Sequence, residues 1–162
     1  MTKEILTEKA ESIMKRAKKD LKKDGLIIPT SFIFCKNKNF VIPGVFQDTH
    51  EKEAYYTFIR EMIRDLKAVG TIFISDIWLG GKDNHLPPAE DPNRGEALHL
   101  TASMPSCCFH IVQPYSRLGE KIMFGDEMIF ESEEVQGTAY SKAFVEVWDD
   151  DSKFDESKLS VH

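Results

Sequence analysis

The stretch EALHLTASMPSCCFHIV, residues 96–112, constrains the fold most narrowly, because apolar and polar side chains alternate along it on both sides of a turn. Alternation with a period of two predicts a pair of antiparallel strands. With 103–106 as a four-residue loop, Ala102 pairs with Cys107, and a slip of one residue would mix the two sets of side chains. One face of this hairpin is then apolar and consists of Leu98, Leu100, Ala102, Cys107, Phe109 and Ile111.

The opposite face of the predicted hairpin carries polar side chains. In this register His99 lies opposite His110 and Thr101 lies opposite Cys108, with β-carbons about 4.5–5.5 Å apart. We expect this face to be half-exposed. Two imidazoles and a thiol at that separation suit zinc if a fourth ligand is added, but the sequence has no CxxC, no HExxH and no other zinc-module spacing. The sequence therefore predicts no metal and no cofactor.

Catalysis by Cys108 is an alternative for the same face. Residues two apart on a strand share a face but lie about 6–7 Å apart at Cα, so His110 is not placed to activate the thiol directly. A nucleophilic cysteine needs a positioned base that is itself oriented by a third group, and no acid near His99 or His110 in the sequence supplies one. We therefore predict no catalytic residue.

The rest of the chain predicts an α+β domain. Apolar residues recur at helical spacing from Leu6 to Leu21, which predicts a first helix that ends at Gly25. A second helix is predicted to begin at a capping box of Asp48 and Glu51 and to end at Gly70. Its apolar stripe consists of Tyr55, Phe58, Ile59, Met62, Ile63 and Leu66. The segment 31–46 predicts a hairpin with a tight turn at 37–38, in which Phe34 faces Val41 and both faces are apolar. Pro43 cannot donate to a strand ladder, which makes the second strand an edge.

The predicted order is α-β-β-α-β-β-β, with two helices covering one face of a largely antiparallel sheet of about five or six strands. Profilin-like and roadblock-like modules share this element order, but element order says nothing about function. We predict one domain over residues 1–148. Residues 133–148 fit either a strand or a short helix, and 149–162 form an acidic tail whose composition is typical of disorder.

Composition excludes several classes of function. The net charge of −6 combines +3 over residues 1–24 with −9 over the remainder. Binding to nucleic acid depends on neutralising its phosphates, which an acidic protein does poorly, so nucleic acid is not an expected partner. No apolar run approaches the roughly 20 residues of a membrane span, and the charged N-terminus does not resemble a signal peptide. Three cysteines, two of them adjacent, make a poor disulfide framework, which predicts a reducing, cytoplasmic location.

The loop HLPPAEDPNRGEALHL, residues 85–100, is the second candidate site. Its Asp-Pro-Asn is typical of a type I turn, and Arg94 would then form a surface ion pair with Glu90 or Asp91. The alternative makes an acid the general base and Arg94 an anion clamp, although the loop contains no nucleophile. If this loop overhangs the histidine face, the candidate binding residues are His85, Glu90, Arg94, His99, Cys108 and His110.

Trp78 followed by PPAEDPNRGEAL at 87–98 resembles a pattern in small bacterial and phage-borne proteins. In that pattern a tryptophan strand leads into Pro–Ser/Ala–Glu–x–Pro–x–Arg–x–Glu–Ala and a further strand. The resemblance implies no activity, but it marks Glu90, Arg94 and Glu96 as more than turn residues.

Two functions remain as hypotheses. The favoured one is a non-catalytic interaction or regulatory module that binds a second copy of itself or another protein through an uncovered sheet face or the apolar hairpin at 31–46. Its basis is a surplus of strand apolar residues, among them Phe32, Phe34, Phe40 and Phe46. The alternative is a small-molecule-binding protein or hydrolase with its site between the 80–96 loop and the face of His99 and His110.

Overall fold

The structure, a computed structural model, describes residues 1–80, 90, 92–131 and 148. Two helices and seven strands follow in the order α1 Lys3–Asp24, β1 Thr30–Phe34, β2 Asn39–Pro43, α2 Thr49–Asp65, β3 Gly70–Leu79, β4 Gly95–Met104, β5 Cys107–Leu118, β6 Lys121–Phe124 and β7 Met128–Glu131. The predicted α+β class is confirmed. The predicted tail and most of the ambiguous segment before Trp148 lie outside the described residues.

The first helix confirms its predicted end at Gly25, and Thr2 caps its start. The Thr2 hydroxyl accepts a hydrogen bond from the Ile5 N–H, and Gly25 ends the helix with a φ of 74°, a left-handed conformation that glycine adopts without steric cost. The buried stripe recurs every three or four residues, at Leu6, Ala10, Met14, Ala17 and Leu21.

The second helix confirms its predicted start and corrects its predicted end. The Asp48 carboxylate accepts from the Glu51 N–H at 2.8 Å, while the Glu51 carboxylate accepts from the N–H of Gln47 at 2.7 Å. The helix ends at Asp65, the chain turns through Lys67 at a φ of 48°, and Gly70 is already the first residue of β3. Gly70 was the wrong terminator because the turn uses a residue three positions earlier.

The sheet is antiparallel throughout, in the order β2-β1-β3-β4-β5-β6, with β7 also on β5. Pro43 lies in the edge strand β2, as predicted. In the first hairpin Phe34 pairs with Asn39, and in the later one Met104 pairs with Cys107, so both predicted registers are wrong by two residues. A shift of two keeps every side chain on its predicted face.

The two helices lie on opposite faces of the sheet, so the prediction that both cover one face is wrong. On the first face, which we call the α1 face, α1 packs on Ile72, Ile74, Leu98 and Leu100. On the second, the α2 face, α2 contributes Tyr56, Ile59 and Ile63, which cluster with Ile33 and Phe73. Both faces of the sheet can be covered because β1 and β3 carry apolar side chains on both faces. Neither face of these central strands is therefore solvent-exposed.

The segment EKIMFGDEMIF, residues 120–130, forms two short strands along the same edge of β5. Phe124 pairs with Tyr115 and Met128 pairs with Val112, so the chain gains one residue relative to β5 between them. A one-residue offset reverses which side chains face which side. As a result Phe124 packs with the α1 cluster, whereas Phe130 lies opposite His110 on the α2 face.

Candidate functional site

The two histidines of the predicted site lie side by side, although not in the predicted register. His99 on β4 pairs with Val112, and His110 on β5 pairs with Thr101, so the imidazoles are diagonal neighbours. His99 Nε2 lies 3.1 Å from His110 Nδ1, and the rings stack with centroids 5.2 Å apart. The predicted His99–His110 and Thr101–Cys108 pairs are wrong, but both histidines do share a face with Thr101 and Cys108.

This histidine cluster is buried, which corrects the expectation of a half-exposed face. His99 is 2% exposed and His110 is 0% exposed. Burial disfavours the charged imidazole and lowers the pKa of His99 to about 4, with a further contribution from the neighbouring His110; burial also lowers the pKa of His110. Both rings are therefore neutral at pH 7.

A neutral pair at this distance must share one proton. One ring nitrogen donates N–H and the other accepts, and the Thr101 hydroxyl lies 3.2 Å from the same His110 Nδ1. Within the described part of the chain, the His99 Nδ1 and the hydroxyl of its cross-strand neighbour Ser75 have no hydrogen-bond partner. If the proton of His99 were on Nδ1, that N–H would be buried without an acceptor. The favoured arrangement therefore places the proton on Nε2, which donates to His110 Nδ1, and leaves His99 Nδ1 as an unpaired acceptor.

Cys108 completes the cluster without becoming a nucleophile. Its Sγ lies 4.0 Å from His110 Nε2, and burial raises the pKa of the Cys108 thiol to about 12. The thiolate is the reactive form of cysteine, so this thiol remains protonated at neutral pH. Over residues 1–80, 90, 92–131 and 148, no group of three His, Cys, Asp or Glu side chains is arranged to hold a metal ion.

The loop residues of the predicted site are not gathered around the histidines. His85 lies outside the described residues, and Glu90 is exposed. The Arg94 guanidinium carbon lies 4.1 Å from the centre of the Trp78 ring. Trp78 pairs with Glu96 on the α1 face, which is the opposite side of the sheet from His99 and His110.

A polar network on the α1 face was missed by sequence reasoning. The Tyr115 hydroxyl lies 2.8 Å and 2.9 Å from the two carboxylate oxygens of Asp76 and 3.2 Å from Glu96. Arg117 donates from Nε to both Glu96 oxygens at 3.0 Å and from Nη1 to the Gly25 carbonyl at 2.9 Å. The network therefore ties the end of α1 to three neighbouring strands.

Two signals in the sequence pointed to this network. Asp76 is the only charged residue of β3, and the resemblance had marked Glu96. Tyr115 and Arg117 carried no such signal, since their approach to Asp76 depends on the register of β3, β4 and β5.

Beside the network lies a small cleft of about 140 Å³, lined by Asp76, Ile77, Trp78 and Glu96, which we call the Asp76–Trp78 cleft. Partial burial raises the pKa of the Asp76 carboxyl, partly offset by the hydrogen bond from Tyr115. Burial, followed by the nearby Asp76 carboxylate, raises the pKa of the Tyr115 hydroxyl above its usual range. Tyr115 is therefore a hydrogen-bond donor at neutral pH, and Asp76 is its acceptor.

A third feature is apolar and lies at the β2 end of the α1 face. Four side chains there are more than half exposed, and we call them the β2 patch: Leu26, Ile28, Val41 and Val45. Val41 pairs with Phe32, which packs in the α1 cluster, so Val41 lies on the α1 face, while Leu26 and Ile28 line the groove between α1 and β1. Between α1 and β1 an open groove of about 460 Å³ runs past Ile13, Ile28 and Phe32.

Comparison with known proteins gives a family but no activity. The family model described as Bacteriophage lambda protein ea47 matches residues 1–160. The chain belongs to the Bacteriophage lambda protein ea47 family. No curated protein and no solved structure matches it significantly.

Membership of the ea47 family confirms the phage side of the resemblance carried by Trp78 and residues 87–98; the segment pattern itself stays a prediction. None of the helices in the described part of the chain is both long and apolar enough to cross a membrane.

Proposed function

We propose that this chain is a non-catalytic interaction module that forms a homodimer through the outer edge of β2, in a reducing compartment such as the cytoplasm. The observation that carries the proposal is the combination of an edge strand with the β2 patch beside it. Among the described strands, β2 pairs only with β1, and all three cysteines are free thiols.

The hydrogen-bonding groups of β2 suit pairing with a copy of itself. The bonds from Cys35 N–H to the Lys38 carbonyl and from Gly44 N–H to the Pro29 carbonyl fix which pairs exchange hydrogen bonds, because these alternate along an antiparallel ladder. By this alternation Phe40 and Ile42 bond to β1, whereas Asn39, Val41 and Pro43 direct their backbone groups outward.

A two-fold axis at Val41 would pair these outward groups with those of a second copy. Val41 then exchanges two bonds with its counterpart, and each Asn39 N–H donates to the Pro43 carbonyl of the other chain. Pro43 has no N–H to return, so the new ladder ends there. The pairing is isologous, as a closed dimer requires.

The β2 patch supplies apolar area on the same edge. With more than half of each residue exposed, its four residues present roughly 400 Å² of surface, about the size of the largest apolar patch on a typical monomer, a patch that is often functional. A stable interface buries about 800 Å² on each partner, of which a little over half is apolar. The patch and its polar surroundings therefore match what a modest dimer needs.

The histidine cluster gives the hydrolase alternative no comparable support. A Cys-His mechanism needs a thiolate and an imidazole that can take up a proton near neutral pH. Burial raises the pKa of Cys108 and lowers the pKa values of His99 and His110, which opposes both requirements. We therefore place the function on the surface of the molecule.

The proposal is tested by measuring the molar mass in solution across a range of protein concentrations, by light scattering and sedimentation. We expect a concentration-dependent dimer for the unmodified chain. Val41→Asp places two carboxylates at the proposed axis and should yield the monomer. Met123→Asp is the matched control, because Met123 is similarly exposed, at 53%, but lies on β6 at the other end of the sheet.

Circular dichroism should give both variants the spectrum of the parent chain, and melting curves are compared at a concentration where the parent is monomeric, because dimer formation itself raises the melting temperature. A parent chain that is monomeric at every concentration would rule out the proposal. So would a folded Val41→Asp variant that dimerises as well as the Met123→Asp control.

A further inference from the structure

The Asp76–Trp78 cleft is the feature that neither the fold nor the proposed dimer uses. Asp76 and Trp78 stand two residues apart on β3 and so point to the same face, with Glu96 directly opposite Trp78 on β4. The cleft thus combines one aromatic wall with two carboxylates. Trp78 remains 45% exposed, so the wall is open to another molecule.

Within the described part of the chain, the charges of the Tyr115 network beside this cleft do not cancel until Arg94, which stacks on Trp78, is counted. Asp76 and Glu96 contribute two negative charges, and Arg117, whose Nε donates to both oxygens of Glu96, contributes one positive charge. Tyr115 donates a hydrogen bond to Asp76 but brings no charge. The three charged groups of the network therefore leave one negative charge beside an indole face, the combination to which cations are attracted.

A cation of this chain already uses the aromatic wall. Arg94 stacks on Trp78 with its guanidinium carbon 4.1 Å from the ring centre, well within the distance at which cation–π attraction operates. This contact is an independent observation that a guanidinium group fits the wall of the cleft, and it belongs to the residue that immediately precedes β4.

We infer that the Asp76–Trp78 cleft binds an arginine side chain of a partner protein, and that Arg94 competes with it for the ring of Trp78. A volume of about 140 Å³ is smaller than the 300–1,000 Å³ typical of sites for whole small molecules, but it is ample for the end of one side chain. A planar guanidinium satisfies both parts of the site at once, because it stacks on an indole and donates paired hydrogen bonds to a carboxylate.

The inference stands apart from the proposed dimer. The cleft lies on β3 and β4, whereas the proposed dimer axis lies at Val41 on β2, two strands away from β3 in the sheet. A failed dimer test leaves the cleft untouched, and the converse is equally true.

The test uses N-acetyl-arginine amide as the probe and Trp78 fluorescence as the readout. The chain has two tryptophans, so a Trp148→Phe background isolates the signal of Trp78. We expect saturable weak binding in this background, and weaker binding of N-acetyl-lysine amide, whose ammonium cannot stack as a plane. Equal, non-saturating responses to both probes would overturn the inference.

Two substitutions should act in opposite directions. Arg94→Ala removes the competing guanidinium and should tighten binding of the probe by about 2- to 5-fold, the worth of one exposed cation–π contact. Asp76→Asn removes the charged acceptor and should weaken binding by about tenfold or more. A purely electrostatic attraction to the protein surface would not distinguish these positions from others of the same charge.

Matched controls separate the site from net charge. Lys36→Ala removes an exposed positive charge at the β1–β2 turn, and Asp126→Asn removes an exposed negative charge between β6 and β7; each should leave the affinity unchanged. Variants are compared after their melting curves have been shown to match the background chain. If Arg94→Ala binds no more tightly than Lys36→Ala, or Asp76→Asn no more weakly than Asp126→Asn, the inference is wrong.

Discussion

The buried histidine pair should make the stability of the fold depend on pH, and His99 allows the size of the effect to be worked out. The pKa of His99 falls from 6.5 to about 4 on folding. As the pH falls, His99 therefore binds a proton near pH 6.5 in the unfolded chain but only near pH 4 in the folded chain. Stability is complete above pH 6.5 and is lost as the pH falls toward 4.

The magnitude follows from the two pKa values. At pH 5 nearly every unfolded His99 is protonated and only about a tenth of the folded form is, so the free energy of unfolding should drop by about 2 kcal/mol between pH 7.5 and pH 5. The full loss below pH 4 is about 3 kcal/mol. His110, whose pKa is also lowered by burial, adds a further loss of the same sign.

The assay is urea unfolding, followed by circular dichroism, at several pH values from 7.5 to 5. His99→Gln keeps an amide N–H that can donate to His110 but removes the titrating ring, so its stability curve should be flatter by about 2 kcal/mol over this range. His50→Gln is the matched control, since His50 is exposed on α2 and meets water in both states. A His99→Gln curve with the slope of the parent chain would refute the reasoning.

Three further substitutions or treatments test other parts of the structure. Leu100→Ala deletes a fully buried side chain between α1 and the sheet and should lower the free energy of unfolding by about 3 kcal/mol in denaturant titration; a loss near zero would contradict the assigned core. Gly25→Ala forces a side chain into a φ of 74° and should cost about 1 kcal/mol in the same titration, whereas Gly125→Ala, which has no positive φ, serves as its control. Cys108 should resist alkylation by iodoacetamide at pH 8 in the folded chain, because its thiol is buried with a pKa of about 12. It should be alkylated once urea is added, as measured by mass spectrometry of the peptides. Rapid labelling in the native protein would mean that the histidine cluster is accessible to solvent.

Periodicity predicted the faces of the sheet but not its registers. The alternation from residue 97 to 112 placed Leu98 and Leu100 in the core and His99 with His110 on the other side, and the α1 and α2 faces bear this out. In the first hairpin the turn keeps its predicted length of two residues but lies one residue earlier, with the Cys35 N–H bonded to the Lys38 carbonyl. In the second hairpin the register failed because the length of the turn was inferred from composition. Residues 103 and 104 continue β4 and leave only Pro105 and Ser106 in the turn, a difference of two residues that alternation does not detect.

The face of the sheet on which each helix packs, and the burial of the histidines, depend on tertiary contacts that no local sequence pattern indicates. An amphipathic stripe shows that a helix packs on something but does not show which face of the sheet receives it, and so the placement of α2 on the face opposite α1 was not predicted. The burial of His99 and His110 followed the same error, because polar side chains on a strand were taken to indicate solvent. The Tyr115 network was missed because it unites three strands through pairings that only the tertiary structure specifies.

Two ion pairs join α1 to the far end of the described chain: Lys3 with Glu131 on β7 at 2.9 Å, and Lys18 with Glu127, just before β7, at 3.0 Å. Lys18 and Lys22 also lie over the ring of Phe124. During synthesis on the ribosome, α1 therefore emerges more than a hundred residues before Glu127 and Glu131, its partners in these ion pairs. Until then its apolar stripe has only a partial surface to cover, so the nascent chain depends on β6 and β7 to close the domain.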